Sequence, residues 1–200
     1  MILYQREKIE NAIAYFASEY HKRKGYNPTQ TWAYKFLALL DFRILKKTGT
    51  PCLGLDYSAM EMGPVPIQLY EEIKKKQTFV KGKVSFRFQP DPDKVYVAST
   101  AESDLDFFSD LELDEMDAIL EEFTRINLDS VIEKAHEEIL SWQVAWKKAN
   151  DEGKKIMPMD YADEFYSIAE KPESELSPEE ERFLCYRGML TKEMEASFSL

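Results

Sequence analysis

The chain has 200 residues, 44% of them hydrophobic and 13% aromatic, enough for one cored domain or a domain plus an appendage. No run of about 18 apolar residues exists, so no membrane span is expected; two cysteines, Cys52 and Cys185, are too few for a disulfide framework or a zinc site. The net charge of −11 divides unevenly: residues 1–100 hold 16 Lys+Arg and 10 Asp+Glu, a balance of +6, and residues 101–200 hold 10 and 27, a balance of −17.

An overall negative field repels phosphates, so nucleic acid is disfavoured as a partner. The acidic half reads either as helices with solvated faces or as an appendage or binding surface. The first residues, Met1-Ile2-Leu3-Tyr4-Gln5-Arg6-Glu7, lack the basic-then-apolar layout of a secretory leader, and a reducing cytoplasm is the expected location.

In chain order, Ile9, Ile13, Phe16 and Tyr20 recur at helical spacing and predict a helix over 5–22. Gly25-Tyr26-Asn27-Pro28 ends it, and Thr29 is a cap candidate for the next helix, 30–47. That second helix is apolar on most sides, from Trp32 through Phe36, Leu39, Leu40 and Ile44, which marks it as the central one. Lys35 and Asp41 lie six residues apart on it, about 240° around the axis, so they cannot pair with each other. Each anchors a partner, meets a buried counter-charge or reaches water. Gly49 suits the left-handed position after the helix.

Residues 53–60 read as extended. Gly63-Pro64-Val65-Pro66 reads as a rigid corner, since both residues before a proline are kept out of the helical region. It is an exposed recognition corner or a connection that aims the third helix, with Pro66 at that helix's first position. Val65, Leu69 and Ile73 share one face, and the helix ends near Lys74-Lys75-Lys76. Val84, Phe86 and Phe88, then Val95 and Val97, alternate as a β-hairpin around the turn chemistry of Pro90-Asp91-Pro92-Asp93. Asp114 is a cap candidate for a helix whose stripe is Met116, Leu120 and Phe123. Asn127 punctuates, and a helix from Val131 to Ala149 follows, with Ser141 as a possible break. The acidic remainder includes Ser177-Pro178-Glu179-Glu180, which has capping-box spacing.

The block Lys35-Phe36-Leu37-Ala38-Leu39-Leu40-Asp41-Phe42, then Gly49 with Tyr57 and Ala59, then Met60 to Pro66 with Tyr70, and finally Ala135-His136 with Ala145-Trp146, resembles the Panacea domain family. That family comprises SocA-like antitoxins and phage-associated GepA-like proteins. The resemblance covers about residues 5–150. Ala135 stands where the family commonly has serine, and Leu39 replaces an aromatic position. The resemblance implies a mostly helical domain with a small β-hairpin that binds a protein, typically neutralising a toxin encoded beside it. At least one type of member is a proteolytic adaptor for a Clp-type protease.

No motif in the chain points to an enzyme. Cys52 with His136 is the one Cys/His pair worth naming, and sequence spacing says nothing of their distance in space. His21 and His136 are isolated, acidic pairs lack ligand spacing, and no glycine loop cradles phosphate, so no metal or cofactor is expected. The basic clusters Lys22-Arg23-Lys24, Lys46-Lys47 and Lys74-Lys75-Lys76 are the only case for nucleic acid, and helix-dipole complementarity explains two of them.

The expected fold is mainly α (α+β), a compact helical domain over 1–150 with a small antiparallel β-hairpin, and an acidic helical C-terminal extension over 151–200. The expected function is an antitoxin-like binding module, with a proteolytic adaptor or a phage-associated regulatory or scaffold protein as alternatives. The candidate partner-binding residues are Lys35, Asp41, Tyr57, Gly63, Pro64, Pro66, Tyr70, His136 and Trp146. His136 and Trp146, ten residues apart, either line a groove or pack as core.

Overall fold

A computed structural model describes residues 2–78, 80, 82–89, 94–165 and 168–197, with side chains to residue 191. Helix α2 (Gln30–Thr48) is its axis, buried from Trp32 to Leu45 except at Arg43. Helix α1 (Gln5–Lys24) lays its apolar stripe on α2: Phe16 meets Phe36 at 5.2 Å between ring centroids, and Tyr20 meets Trp32 at 5.1 Å. Both helices end as their glycines dictate, with Gly25 and Gly49 at φ 78° and each N–H donating back into the last turn.

The chain then enters a feature absent from the sequence reading. Strands β1 (Tyr57–Met60) and β2 (Gly63–Pro66) form a hairpin, with Tyr57 opposite Pro66 and Met60 opposite Gly63. The expected corner is therefore an edge strand. Two prolines fit there because an edge strand need not donate outward, and Gly63, at φ +94°, makes the turn. Pro66 stands just before the first residue of α3 (Ile67–Lys74) rather than inside the helix. The one predicted hairpin is present as β3 (Val84–Phe88) paired with β4 (Val95–Ser99), and its turn, residues 90–93, lies outside the described residues.

Helix α4 (Asp110–Phe123) starts earlier than expected. Ser109, not Asp114, caps it: Ser109 Oγ accepts the Glu112 N–H, and the Glu112 carboxylate accepts the Ser109 N–H. That is a complete capping box, which outcompetes a lone aspartate one turn later. Met116, Leu120 and Phe123 are buried as predicted.

The long helix expected from Val131 divides at Ile139, not Ser141, into α5 (Leu128–Glu138) and α6 (Leu140–Asp151). Ile139 is fully buried in extended backbone, φ −99° and ψ 99°. One of the N–H groups that the first turn of α6 leaves unpaired is satisfied from afar, by the Glu164 carboxylate accepting the Ser141 N–H at 2.8 Å.

Beyond residue 150 the chain returns to the rest of the molecule. Strand β5 (Met157–Pro158) pairs with β1 and completes a sheet of order β2-β1-β5. Ile168 and Phe183 join the core. Helix α7 (Pro178–Ser197) begins at the predicted Ser177–Glu180 capping box and packs on α2. The architecture is mainly α with a small antiparallel β component. Among the described residues no helix is long and apolar enough to cross a membrane.

The close approach of α7 to α2 is set by Gly49. A Cβ there would overlap the Glu179 carbonyl oxygen and lie 2.8 Å from Arg182 Cβ, whereas a Cβ on Gly25 would meet nothing within 4 Å. Gly25→Ala is expected to lose about 1–2 kcal/mol from the left-handed backbone alone. Gly49→Ala is expected to lose that plus about 1–3 kcal/mol of overpacking. Urea denaturation of the two variants checks this; equal losses would contradict the close contact.

Candidate functional site

Most of the residues singled out from the sequence gather at two separate places around α2, one at Asp41 and one at Lys35. The first is Asp41. The chain leaving α2 must turn back into β1, and this buries the backbone of residues 53–55, whose N–H groups need acceptors. Asp41, fully buried, supplies them. Its Oδ1 accepts from the N–H groups of Leu53 and Gly54, and its Oδ2 from Leu55 N–H at 3.3 Å and Tyr57 hydroxyl at 3.1 Å. Tyr161 brings a further hydroxyl to 3.1 Å from Oδ2 and 2.8 Å from the Leu55 carbonyl, and its single proton serves one of the two. Phe42 packs on both tyrosines, at 5.5 and 4.9 Å. Burial raises the Asp41 carboxyl to about 6, against the lowering effect of the hydrogen bonds it accepts.

The second place is one turn from the start of α2. Lys35 is 1% exposed, and its Nζ donates to the Pro64 carbonyl at 3.1 Å. Burial lowers its ammonium to about 7. Gly63 is the wall of this site: a Cβ there would lie 2.9 Å from Lys35 Cε, 3.0 Å from Lys35 Nζ and 3.1 Å from His136 Nε2. Lys35 and His136 thus converge on one glycine. His136 Nε2 is buried with no hydrogen-bond partner, and burial, followed by the charge of Lys35, lowers the imidazole to about 4. Its ring stacks on Trp142 at 3.6 Å and 1°; Trp142 stacks in turn on Trp146 at 5.9 Å and donates Nε1–H to the Met60 carbonyl at 3.1 Å.

His136 and Trp146 were expected on one helix. They stand on two, because Ile139 breaks the helix, and Trp142 joins them into a three-ring ladder. The other candidates divide by access. Lys35, Asp41, Tyr57, Gly63, Pro64 and Pro66 are buried, whereas Tyr70, His136 and Trp146 are half-buried. Glu61 and Met62 at the hairpin tip are exposed.

Two contributors escaped the sequence reading. Tyr161 closes the Asp41 site from more than a hundred residues away, and no local pattern marks it. Arg43 binds Glu138 with two nitrogens, at 2.5 and 2.8 Å, and also reaches Glu115 at 3.1 Å and Glu122 at 2.9 Å, tying α2 to α4 and α5.

The arrangement serves positioning better than proton transfer. The perturbed carboxyl and ammonium are sealed and engaged by backbone groups. Burial, with Asp41 and Glu112 nearby, pushes the Cys52 thiol up, the opposite of what a nucleophile needs. No cluster of three or more His, Cys, Asp or Glu that would hold a metal occurs among the described residues.

A family model described as antitoxin SocA-like, Panacea domain, matches residues 34–143. The match contains every candidate residue except Trp146, and ends before Tyr161. Comparison with curated proteins and with solved structures found no match.

Unfolded Lys35 keeps its proton to about its ordinary value of 10.5, and folded Lys35 only to about 7. Between those values the unfolded chain binds more protons, so this group makes stability rise with pH, by up to about 1.4 kcal/mol per pH unit. Denaturation of the wild type and Lys35→Met from pH 7 to 10 is expected to show that rise in the wild type only. Tyr161→Phe removes a hydroxyl from Asp41 and the Leu55 carbonyl and is expected to cost about 1–3 kcal/mol, read as a lower urea midpoint with an unchanged slope.

Proposed function

The chain belongs to the antitoxin SocA-like, Panacea domain family, and from that premise we propose that it neutralises a cognate protein toxin by direct contact, in the cytoplasm and without catalysis. The family match carries the reading. Two structural observations support it. The charged residues of the family block, Lys35 and Asp41, are occupied inside the fold, where they hold the β1–β2 hairpin and the loop before it on α2. Their role in this reading is to fix the shape of a rigid binding body. The charge asymmetry then supplies complementarity: the −17 half presents carboxylates to a basic toxin, and steric and electrostatic occlusion follows.

Co-expression with the product of the adjacent gene tests this. The expected outcome is growth inhibition by that product alone, relief by this chain, a co-purifying complex and an unchanged toxin half-life. A harmless neighbour, or relief without a complex, overturns the reading. Relief with a shortened half-life replaces occlusion by delivery to a Clp-type protease.

A further inference from the structure

The outer strands of a sheet carry N–H and C=O groups that no further strand answers, and proteins close such edges with proline, charge or cover. Three of the four sheet edges among the described residues are closed in this way. Ile67 N–H donates to the Asp56 carbonyl, so by alternation the residues of β2 that face out of the sheet are Pro64 and Pro66. Neither has an N–H, and Lys35 takes the Pro64 carbonyl. At the far edge of the same sheet, Met159 N–H donates to the Tyr57 carbonyl, which turns Pro158 outward. In the other sheet, β4 is covered: Val97 N–H donates to the Pro28 carbonyl, and Thr29 bridges to Tyr96.

Strand β3 is the exception. Thr100 N–H donates to the Lys83 carbonyl and Gln89 N–H to the Lys94 carbonyl. Alternation along the β3–β4 register therefore turns the N–H and C=O groups of Val84, Phe86 and Phe88 away from β4. The start of this edge is covered, because Val84 is buried and Glu10 accepts the N–H groups of Gly82 and Lys83. Farther on, no described residue bonds the outward groups of Phe86 or Phe88, and the strand is exposed at Arg87 and Phe88. No proline blocks it.

The field at this edge is positive. Residues 74–94 hold seven Lys and Arg and two Asp, which is +5 of the +6 carried by the first hundred residues. Three of these cations stand at the open end of the hairpin. Lys76 Nζ lies 5.0 Å from the Phe88 ring centroid, Arg87 precedes Phe88, and Lys94 bonds Gln89 through its carbonyl. All three are exposed and have no carboxylate partner among the described residues.

We propose that the open edge of β3 is a docking site for an extended, acidic segment of a partner protein, which adds to β3 as a third strand. Its backbone bonds the outward groups of Phe86 and Phe88, and its carboxylates meet Lys76, Arg87 and Lys94. This is a second interaction surface, beyond the antitoxin reading, and its occupant need not be the toxin. A second copy of the chain pairing β3 on β3 would set these cations against their own kind. A nucleic acid would answer the charge but has no row of N–H and C=O groups to continue the sheet.

The probe is a labelled seven-residue peptide alternating Glu and Val, titrated into the full chain by fluorescence anisotropy. Saturable binding that weakens with salt is expected. A Lys/Val peptide, a fully N-methylated Glu/Val peptide and a seven-nucleotide thymidine oligomer are each expected to bind at least about 10-fold more weakly. Amide exchange followed by NMR is expected to slow at Phe86 and Phe88 on binding, and to change little at Ser85 and Arg87, whose N–H groups already face β4. Phe88→Pro removes an outward donor that Phe88→Ala keeps, and is expected to bind about 5-fold more weakly than the alanine variant, the worth of one hydrogen bond. Lys76→Glu with Arg87→Glu is expected to lose about 10-fold or more, whereas Lys148→Glu with Lys155→Glu, an equal change of charge at exposed positions elsewhere, stays within about 2-fold of wild type. Circular dichroism and urea midpoints establish that each variant is folded.

No binding of the Glu/Val peptide overturns the proposal, as does equal binding of any of the three comparison probes or protection away from β3. The co-expression experiment decides the antitoxin reading separately: neutralisation that survives the Lys76/Arg87 pair leaves the β3 edge to the peptide, and peptide capture by a chain that neutralises nothing leaves the edge standing without a toxin.

Discussion

Asp41 sits on a helix that is buried almost all round, so its carboxylate has to find its hydrogen bonds inside the protein. The donors it finds are three consecutive backbone N–H groups and the Tyr57 hydroxyl, with the Tyr161 hydroxyl shared between it and the Leu55 carbonyl, and these fix different parts of the chain. The N–H groups of Leu53, Gly54 and Leu55 set the path from α2 into β1. Tyr57 begins β1, and Tyr161 brings in the segment that carries β5. Loss of this one acceptor would orphan a buried loop, which is a larger penalty than the net worth of any single hydrogen bond.

Lys35 works elsewhere around the same helix with less support. One carbonyl receives its proton, and the nearby imidazole nitrogen of His136 goes without a partner. Burial drives both groups towards their neutral forms, which suits a site walled by a glycine and stacked indoles. Lysine and aspartate on one helix thus act separately. The former packs the hairpin turn against α5 and α6, and the latter organises the loop and the return of the chain.

The charge asymmetry of the sequence acquires a different meaning once ion pairs are placed. Arg43, a single cation, is bound by three glutamates from α4 and α5, and Lys47 and Lys134 complete a balanced network around it. Three glutamates of the second half thereby serve one arginine of the first. The rest stays on the surface, with Asp104, Asp110, Asp129, Glu133, Glu137, Glu173 and Glu175 exposed along the second half.

Residue order by itself determined the helices whose stripes and caps are local. These are α1, α2, α3, the β3–β4 hairpin and the Ser177 capping box, because hydrophobic period, a C-terminal glycine and a capping pair act within a few residues. The family block was likewise legible from Lys35, Asp41 and Gly63 to Pro66. The start of α4 was legible too, in Ser109 and Glu112, but a later aspartate drew the boundary away from it. Only the tertiary structure decided what depends on distant partners. The two prolines of β2 could become an edge strand only once β1 lay beside them. The break at Ile139 is set by burial, and Glu164 caps α6 from beyond it. Tyr161 reaches Asp41, and α7 closes on Gly49, through contacts that no local spacing encodes. The reason is physical: secondary structure follows short-range sterics and period, whereas the satisfaction of a buried charge is settled by whichever donors the whole chain brings to it.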